Sequence, residues 1–261
     1  MKLRLWLTLL VSVVVGGCST LVPAPVGPRP SPEAAQAAWA RVLKGFVNEQ
    51  GEVSFAALAQ NPADLHQVVR HIADTPLERY ADGDARLAHM INAYNALSMF
   101  NVVQGGIPDT HAGFKKVSFF VLRQLTVGGQ PMSLRSFEND IIRPYARARN
   151  DPRIHFALNC SARACPVLPR VPFTATQLNA ELERETRAFF ARALNFRVDS
   201  SAQTVWLSEL LDFYPEDFVP SVAPSLLAYA NRYAPQPAPP EYRVMFTPYD
   251  WTVANSQAGA R

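Results

Sequence analysis

"DARLAHMINAYNALSMFNVVQGG", residues 84–106, is the stretch that decides the fold. No glycine or proline interrupts it before Gly105 and Gly106, and apolar residues fall on nearly all sides of a helical projection. The stretch therefore predicts a long helix with Asp84 as its N-terminal cap and the two glycines at its end. Because a helix that is apolar nearly all round is normally buried, we place it at the centre of the domain.

Three polar residues interrupt the apolar surface of this helix. His89, Asn92 and Asn95 recur at every third position, so they share one face. A buried amide that lacks a partner costs about 1–3 kcal/mol, so both asparagines need hydrogen-bond partners. Two interpretations stay open: the asparagines hold neighbouring loops, or they line a ligand site.

The segments on either side of the central helix are a mixture of helices and short extended pieces. Helices are predicted over residues 32–47, 62–73, 133–149 and 174–194; extended segments over 114–125, 153–158, 204–208 and 243–255, with a hairpin turn at 128–129. Helices outnumber strands and do not alternate with them as in a wound parallel sheet. The prediction is one mixed, helix-rich α+β domain with a small sheet over residues 33–255, followed by a tail over 256–261.

The N-terminus has the organisation of an export signal. Lys2 and Arg4 precede the apolar run 5–15, which is followed by Gly16 and Gly17. A membrane span needs about 20 apolar residues, and this run is shorter. The sequence therefore predicts a cleavable signal over residues 1–17.

The sequence "VGGCST", residues 15–20, resembles the lipobox of bacterial lipoproteins. The resemblance implies cleavage before Cys18, acylation of that cysteine, and attachment to a membrane through the lipid. Ser19 follows the cysteine, where an aspartate usually retains such proteins at the inner membrane. The implied location is the bacterial cell envelope, at the outer membrane facing the periplasm.

Residues 18–32 contain five prolines, a composition typical of a stiff, extended tether between an anchor and a domain. Loss of Lys2 and Arg4 with the signal lowers the formal net charge from +3 to +1. A nearly neutral chain gives no electrostatic reason to expect nucleic-acid binding. A protein or small-molecule partner is left open by the sequence.

"IHFALNCSARACP", residues 154–166, holds two of the three cysteines of the chain. In an oxidising envelope, with Cys18 acylated, Cys160 and Cys165 form an even set that tends to pair. A disulfide requires Cα atoms about 4.4–6.8 Å apart, so the four intervening residues would have to turn back sharply. A structural disulfide is the interpretation that we favour.

Other interpretations of the same segment stay open. Cys160 could act as a nucleophile with His155 as its base, or the two cysteines could cycle between oxidised and reduced forms. Two cysteines and one histidine do not complete a common metal site, so we predict no metal and no cofactor. The acids of "DFYPEDF", residues 212–218, are interpreted as solvent-exposed acids at a helix end.

Five motifs together resemble the family known as domain of unknown function 547, over most of residues 40–255. They are "INAYNAL" (91–97), "SLRSFEND" (133–140), "DPRIHFALNCSARACPVL" (151–168), "LSELLDFYPEDF" (207–218) and "YDWTVAN" (249–255). The resemblance implies no activity, because the family has none that is settled. It does imply recurrent positions, most of them polar, which are Asn92, Tyr94, Asn95, Glu138, His155, Cys160, Cys165, Pro166, Asp217 and Asp250 with Trp251. His89 and Asn139 depart from the family pattern, so both are left out of the predicted site.

We expect a pocket between the 84–106 helix and the 153–165 segment. The predicted binding residues are Asn92, Tyr94, Asn95 and Glu138, and the candidate catalytic residues are Cys160 and His155. One hypothesis is a binding domain of the envelope with a structural Cys160–Cys165 pair. The other is a thiol-dependent hydrolase or transferase that uses Cys160 and His155 on peptide or cell-wall material, and the sequence does not decide between them.

Overall fold

The computed structural model of the chain describes residues 19–256. The α-helices are α1 (Pro32–Phe46), α2 (Phe55–Gln60), α3 (Ala63–Asp74), α4 (Asp84–Gln104), α5 (Phe114–Val117), α6 (Leu134–Ser136), α7 (Arg143–Ala148), α8 (Leu178–Ala191), α9 (Leu210–Phe213), α10 (Pro215–Phe218) and α11 (Leu226–Asn231). The strands are β1 (Thr20–Leu21), β2 (Arg123–Val127), β3 (Gln130–Met132), β4 (Phe196–Asp199), β5 (Thr204–Ser208) and β6 (Arg243–Thr247). None of the helices formed by residues 19–256 is long and apolar enough to cross a membrane.

Helix α4 is the predicted central helix, and most of its side chains are buried. Its N-cap position is occupied by Gly83, whose φ of 93° suits glycine, so the prediction of Asp84 as the cap is wrong by one residue. Asp84 instead forms an ion pair with Arg149. Gly105 closes the helix as predicted, because its N–H bonds to carbonyls of the last turn.

The strands form two small three-stranded sheets. One has the order β1–β2–β3, in which β1 is parallel to β2, and the hairpin between β2 and β3 turns at Gly128 and Gly129 as predicted. The other has the order β4–β5–β6, with β6 parallel to β5. Helices and these two sheets share one core, which confirms the prediction of a helix-rich α+β domain.

The proline-rich segment before α1 lies along the domain. Residues of β1 pair with β2 in the register Thr20↔Arg123, and Val22 is buried. Farther along, the backbone carbonyl of Pro30 lies 3.0 Å from Nδ1 of His71 on α3. The segment therefore lies along the domain surface. Residues 1–18, with the predicted signal and Cys18, lie outside the described residues.

The prediction of an extended segment over 114–125 is wrong for its first nine residues. Helix α5 continues directly into a π-helical turn, Ser118–Leu122, and the strand begins only at Arg123. The helical conformation buries Phe119, whose carbonyl accepts a hydrogen bond of 2.9 Å from Asn101 Nδ2 on α4. Aromatic and β-branched composition favours strands, but packing against α4 decides the conformation here.

The predicted strand over residues 153–158 is also wrong. Residues Pro152–Phe156 form a 3-10 helix, with the Asp151 side chain accepting a hydrogen bond from Arg153 N at its start. A short buried apolar run fits a strand or a helical turn equally well by periodicity. Pro152 in the first turn and Asp151 as the cap favour the helical form.

The last described residues contact three distant parts of the chain. Isolated bridges link Val53 to Asn255, Thr110 to Thr252 and Ala162 to Val253. The C-terminal segment 250–256 therefore holds the start of α2, the loop before α5 and the cysteine loop together.

Candidate functional site

The cavity that His155 lines, called the main cavity below, has a volume of about 440 Å³. Its wall is built from α4, the 114–122 helical segment, the π-helical turn Phe137–Ile142, the 152–156 turn, the cysteine loop and the C-terminal segment. Of the predicted site residues, the cavity brings together Tyr94, Glu138, His155, Cys160 and Cys165. Asn92 and Asn95 do not line it.

Asn95 lies behind the wall of the cavity and is 2% exposed. Its Nδ2 donates to the Ala157 carbonyl at 2.9 Å, and its Oδ1 accepts from Asn159 N at 2.7 Å. Because both ends of the amide are used on the loop that leads to Cys160, this side chain holds the loop and has no group left for a ligand.

Asn92 faces a different part of the molecule. Its amide bonds both backbone groups of Phe173, at 2.8 and 3.0 Å, and accepts from Trp39 Nε1 at 3.1 Å. It lines a second cavity of about 200 Å³, together with His89. The two asparagines of the polar row on α4 thus hold two different loops, and only His89 and Asn92 line a cavity, the second one.

Asp217 anchors the imidazole of His155. Oδ2 of Asp217 lies 2.8 Å from His155 Nε2 and accepts from Arg143 Nε at 2.7 Å, while Oδ1 pairs with Arg147. Burial alone would raise the pKa of the Asp217 carboxyl. The hydrogen bonds from His155, Arg143 and Arg147 outweigh burial and hold that pKa well below its usual range.

An ionised Asp217 fixes which nitrogen of His155 carries a proton. A carboxylate only accepts hydrogen bonds, so Nε2 of His155 must donate, and in the neutral ring Nδ1 keeps the lone pair. The interpretation of the 212–218 acids as solvent-exposed is therefore wrong for Asp217, which is 7% exposed. Asp212 and Glu216 do lie at the surface.

Two tyrosines surround the Glu138 carboxyl group. Tyr94 donates its hydroxyl to Oε2 of Glu138 at 2.8 Å. Burial, and then the charge of Glu138, raise the pKa of Tyr94 and of Tyr214, so both phenols stay protonated. The Tyr214 ring also stacks on His155, with centroids 4.6 Å apart. Glu138 and His155 are thus connected through Tyr214 on one side of the cavity.

Cys160 and Cys165 form a disulfide, with Cα atoms 6.2 Å apart. Ser161 makes the sharp turn that this pairing requires, at a φ of 64°, and its N–H donates to Asn159 Oδ1 at 2.7 Å. The Tyr249 hydroxyl donates to Cys165 Sγ at 3.1 Å. In this form Cys160 has no thiol, so it can serve as a nucleophile only after the pair is reduced.

Sequence reasoning missed several residues of the cavity. Lys116 extends over the ring of Trp251, with Nζ 3.8 Å from the centroid, and burial lowers the pKa of Lys116. Phe120 and Arg135 also line the wall. Arg135 lies on α6 within the SLRSFEND motif but was not among the predicted site residues. No local motif marks Lys116 and Phe120, because only packing brings the 114–122 segment to the cavity.

Residues 78–190 match a family model described as "Protein of unknown function, DUF547". No curated protein and no solved structure matches the chain significantly. The matched region contains Tyr94, Glu138, His155 and the cysteine pair, whereas Asp217 lies beyond it. Over residues 78–190 the chain is therefore similar to the DUF547 family, whose function is unknown.

Proposed function

We propose that the chain is a lipid-anchored protein of the bacterial cell envelope whose main cavity binds a small organic ligand with a negatively charged group. The observation that carries this proposal is the cavity itself. Its volume of about 440 Å³ lies within the usual range of ligand sites, and aromatic side chains and a few polar groups line it together. The Cys160–Cys165 disulfide has a structural role here, since it shapes one wall.

The charges around the cavity support an anionic ligand. Lys116 and Arg135 line it, and neither forms an ion pair with an acid among the described residues. The third cation, Arg143, is already bound to Glu216 and Asp217. Lys116 and Arg135 therefore outnumber Glu138, the acid of the cavity wall, and remain for a carboxylate or phosphate, while Phe120 and Trp251 offer an apolar surface to the rest of the ligand.

Calorimetric titration with aryl carboxylates tests this proposal, with N-acetylphenylalanine as the first probe and its neutral amide as the matched control. We expect saturable binding of the carboxylate and weaker binding of the amide. Lys116→Gln should weaken carboxylate binding by about tenfold, which corresponds to about 1.4 kcal/mol. Lys115→Gln is the control, because Lys115 does not line the cavity. Equal affinities for carboxylates and amides would contradict the proposed charge preference.

The envelope location has a separate test. Labelled palmitate should be incorporated into the mature protein and not into a Cys18→Ala variant. Recovery of both proteins in the membrane fraction, with no label in either, would exclude the lipid anchor. It would leave the ligand-binding proposal untouched.

A thiol-dependent hydrolase or transferase is the second candidate. It is favoured by one observation, namely that His155 and Cys160 line the same cavity. After mild reduction, this candidate requires rapid alkylation of Cys160 by iodoacetamide at neutral pH and slower alkylation in a His155→Ala variant. Slow alkylation that is equal in the two proteins would exclude it.

A further inference from the structure

Exposed apolar side chains are concentrated at one place on the domain. Seven large apolar residues are exposed in the part of the chain that the structure describes, and four of them lie on β1 or on the helical segment that leads into β2. These four are Leu21 (57% exposed), Phe114 (74%), Val117 (43%) and Val121 (37%). We call them the apolar strip.

The members of the apolar strip are neighbours in the fold. Phe114, Val117 and Val121 are spaced by three and four residues, so they share one face of the helical segment. Leu21 on β1 is paired with Gln124, whose side chain donates to the carbonyl of Val121 at 3.0 Å. The strip therefore continues in space from the helical segment onto the adjacent strand β1.

The strip carries positive charge as well as apolar surface. Lys115 and Lys116 lie within it and are two of the four lysines in the whole chain. Contiguous exposed apolar residues mark an interaction surface, and apolar side chains combined with lysines are typical of segments that lie in a membrane interface. Lysine stems can also extend along such a surface while the ammonium group stays in water or near anionic headgroups.

The position of the proposed anchor indicates that the partner of the apolar strip is the membrane. This step rests on the lipid attachment proposed for Cys18. Only Ser19 separates Cys18 from β1. An extended chain spans at most about 3.6 Å per residue, so Thr20 lies within about 7 Å of the acylated cysteine. Because β1 is paired to β2, the anchor also keeps the apolar strip close to the bilayer.

We propose that the apolar strip docks on the lipid surface, so that the domain lies on the membrane in a fixed orientation. Val117 and Val121 line the main cavity as well as belonging to the strip, and Lys116 also lines the cavity. The cavity therefore opens at the membrane interface. The ligand class that fits this position is an amphiphile with an acidic group, which would enter from the lipid surface.

Spin labelling of the full, lipidated protein in vesicles of phosphatidylethanolamine and phosphatidylglycerol tests the docking. One nitroxide is placed at Phe114→Cys, and the matched control is placed at Val171→Cys, which replaces another exposed apolar residue outside the strip. The disulfide keeps Cys160 and Cys165 from reacting with the label. We expect the label at position 114 to collide more often with oxygen than with a water-soluble nickel chelate, and the control label to show the reverse.

Two results would overturn the docking. The first is a label at position 114 that is as accessible to the nickel chelate as the control. The second is a label at position 114 that is shielded from both quenchers, which would mean that a second copy or another protein covers the strip. The mass of the mature N-terminus tests the anchor independently, so a missing lipid and a missing contact give different results.

A variant without the anchor provides a second measurement. Cys18→Ala protein should still sediment with phosphatidylglycerol vesicles, and adding Phe114→Ser should weaken that binding by at least about tenfold, because a buried aromatic ring is lost. Val171→Ser is the matched control and should leave binding unchanged. Equal binding by the two serine variants would contradict the proposal.

Discussion

Nε2 of His155 lies 2.8 Å from Oδ2 of Asp217, a residue 62 positions later in the chain. The same carboxylate also binds Arg143 and Arg147 on α7. One acidic side chain therefore connects α7, the turn that carries His155, and α10. The orientation of the imidazole in the cavity depends on this contact, and so does the pairing of two arginines.

Asp217→Asn should destabilise the domain by up to about 3–5 kcal/mol, because the buried Arg143 guanidinium then keeps only the exposed Glu216 as a carboxylate partner. Urea unfolding measures this change. Asp212→Asn is a matched control on the same segment, and since Asp212 is exposed, its effect should stay within about 0.5 kcal/mol. Similar losses in the two variants would show that the network around Asp217 contributes little.

Acid should destabilise the domain through His111. Burial lowers the pKa of His111 to about 4, whereas an unfolded histidine titrates near about 6.5. Between these values the unfolded chain binds more protons, so this contribution is complete above about pH 6.5 and is lost as the pH falls toward about 4. Its size is on the order of 3 kcal/mol.

Urea unfolding across this pH range checks the contribution of His111. A His111→Phe variant keeps an aromatic ring against Phe119 and should show a flatter dependence of stability on pH. Some slope should remain, because burial also lowers the pKa of His89, to about 3. A slope as steep as that of the unchanged protein would mean that His111 is not the titrating group.

The mature domain prepared without reductant should show no reactive thiol from Cys160 or Cys165. Reduction should release two, and slowly under native conditions, because both side chains are buried. The loop that the disulfide closes is short, with a sequence separation of 5, so loss of the disulfide should cost no more than about 2 kcal/mol. Thiol titration and unfolding of a Cys160→Ser, Cys165→Ser variant measure the two quantities. Two thiols that react before any reductant is added would disprove the pairing.

Asn95→Ala should destabilise the domain by about 1–3 kcal/mol, because it leaves the buried Asn159 N–H and the Ala157 carbonyl without partners. Folded Asn95→Ala protein should still bind carboxylate probes, since Asn95 does not line the cavity. Asn61→Ala is the control, an exposed asparagine with one bond to backbone. Equal stability of the two variants would contradict the role assigned to Asn95.

Local signals explain which elements of the fold could be predicted from the sequence. The uninterrupted run of α4 and the glycine pair after β2 are signals that depend only on residues close together in sequence. The structure confirms both predictions. The runs at 114–122 and 153–158 are short and apolar, and such runs fit a strand or a helical turn equally well. Contacts with residues outside the run decide its conformation. Asn101, for example, donates a hydrogen bond to the carbonyl of Phe119.

The residues of the cavity could likewise be predicted only where a local signal marks them. The spacing of His89, Asn92 and Asn95 correctly places them on one face of a helix, but it says nothing about which loops reach that face. Asp217 looked solvent-exposed because its partners lie 62 to 74 residues away. Resemblance to a family pointed to Tyr94 and Glu138, whereas Lys116 carried no signal of any kind.

The position of the segment 250–256 determines when, during synthesis, the wall of the cavity is completed. Trp251 forms part of the cavity wall, and the neighbouring residues bridge to Thr110 and Ala162. A chain that emerges from a ribosome or a translocation channel does so with its N-terminus first. The cavity wall is therefore incomplete until the segment 250–256 has emerged, and a chain that has been synthesised only as far as β6 still lacks the Trp251 side of the cavity.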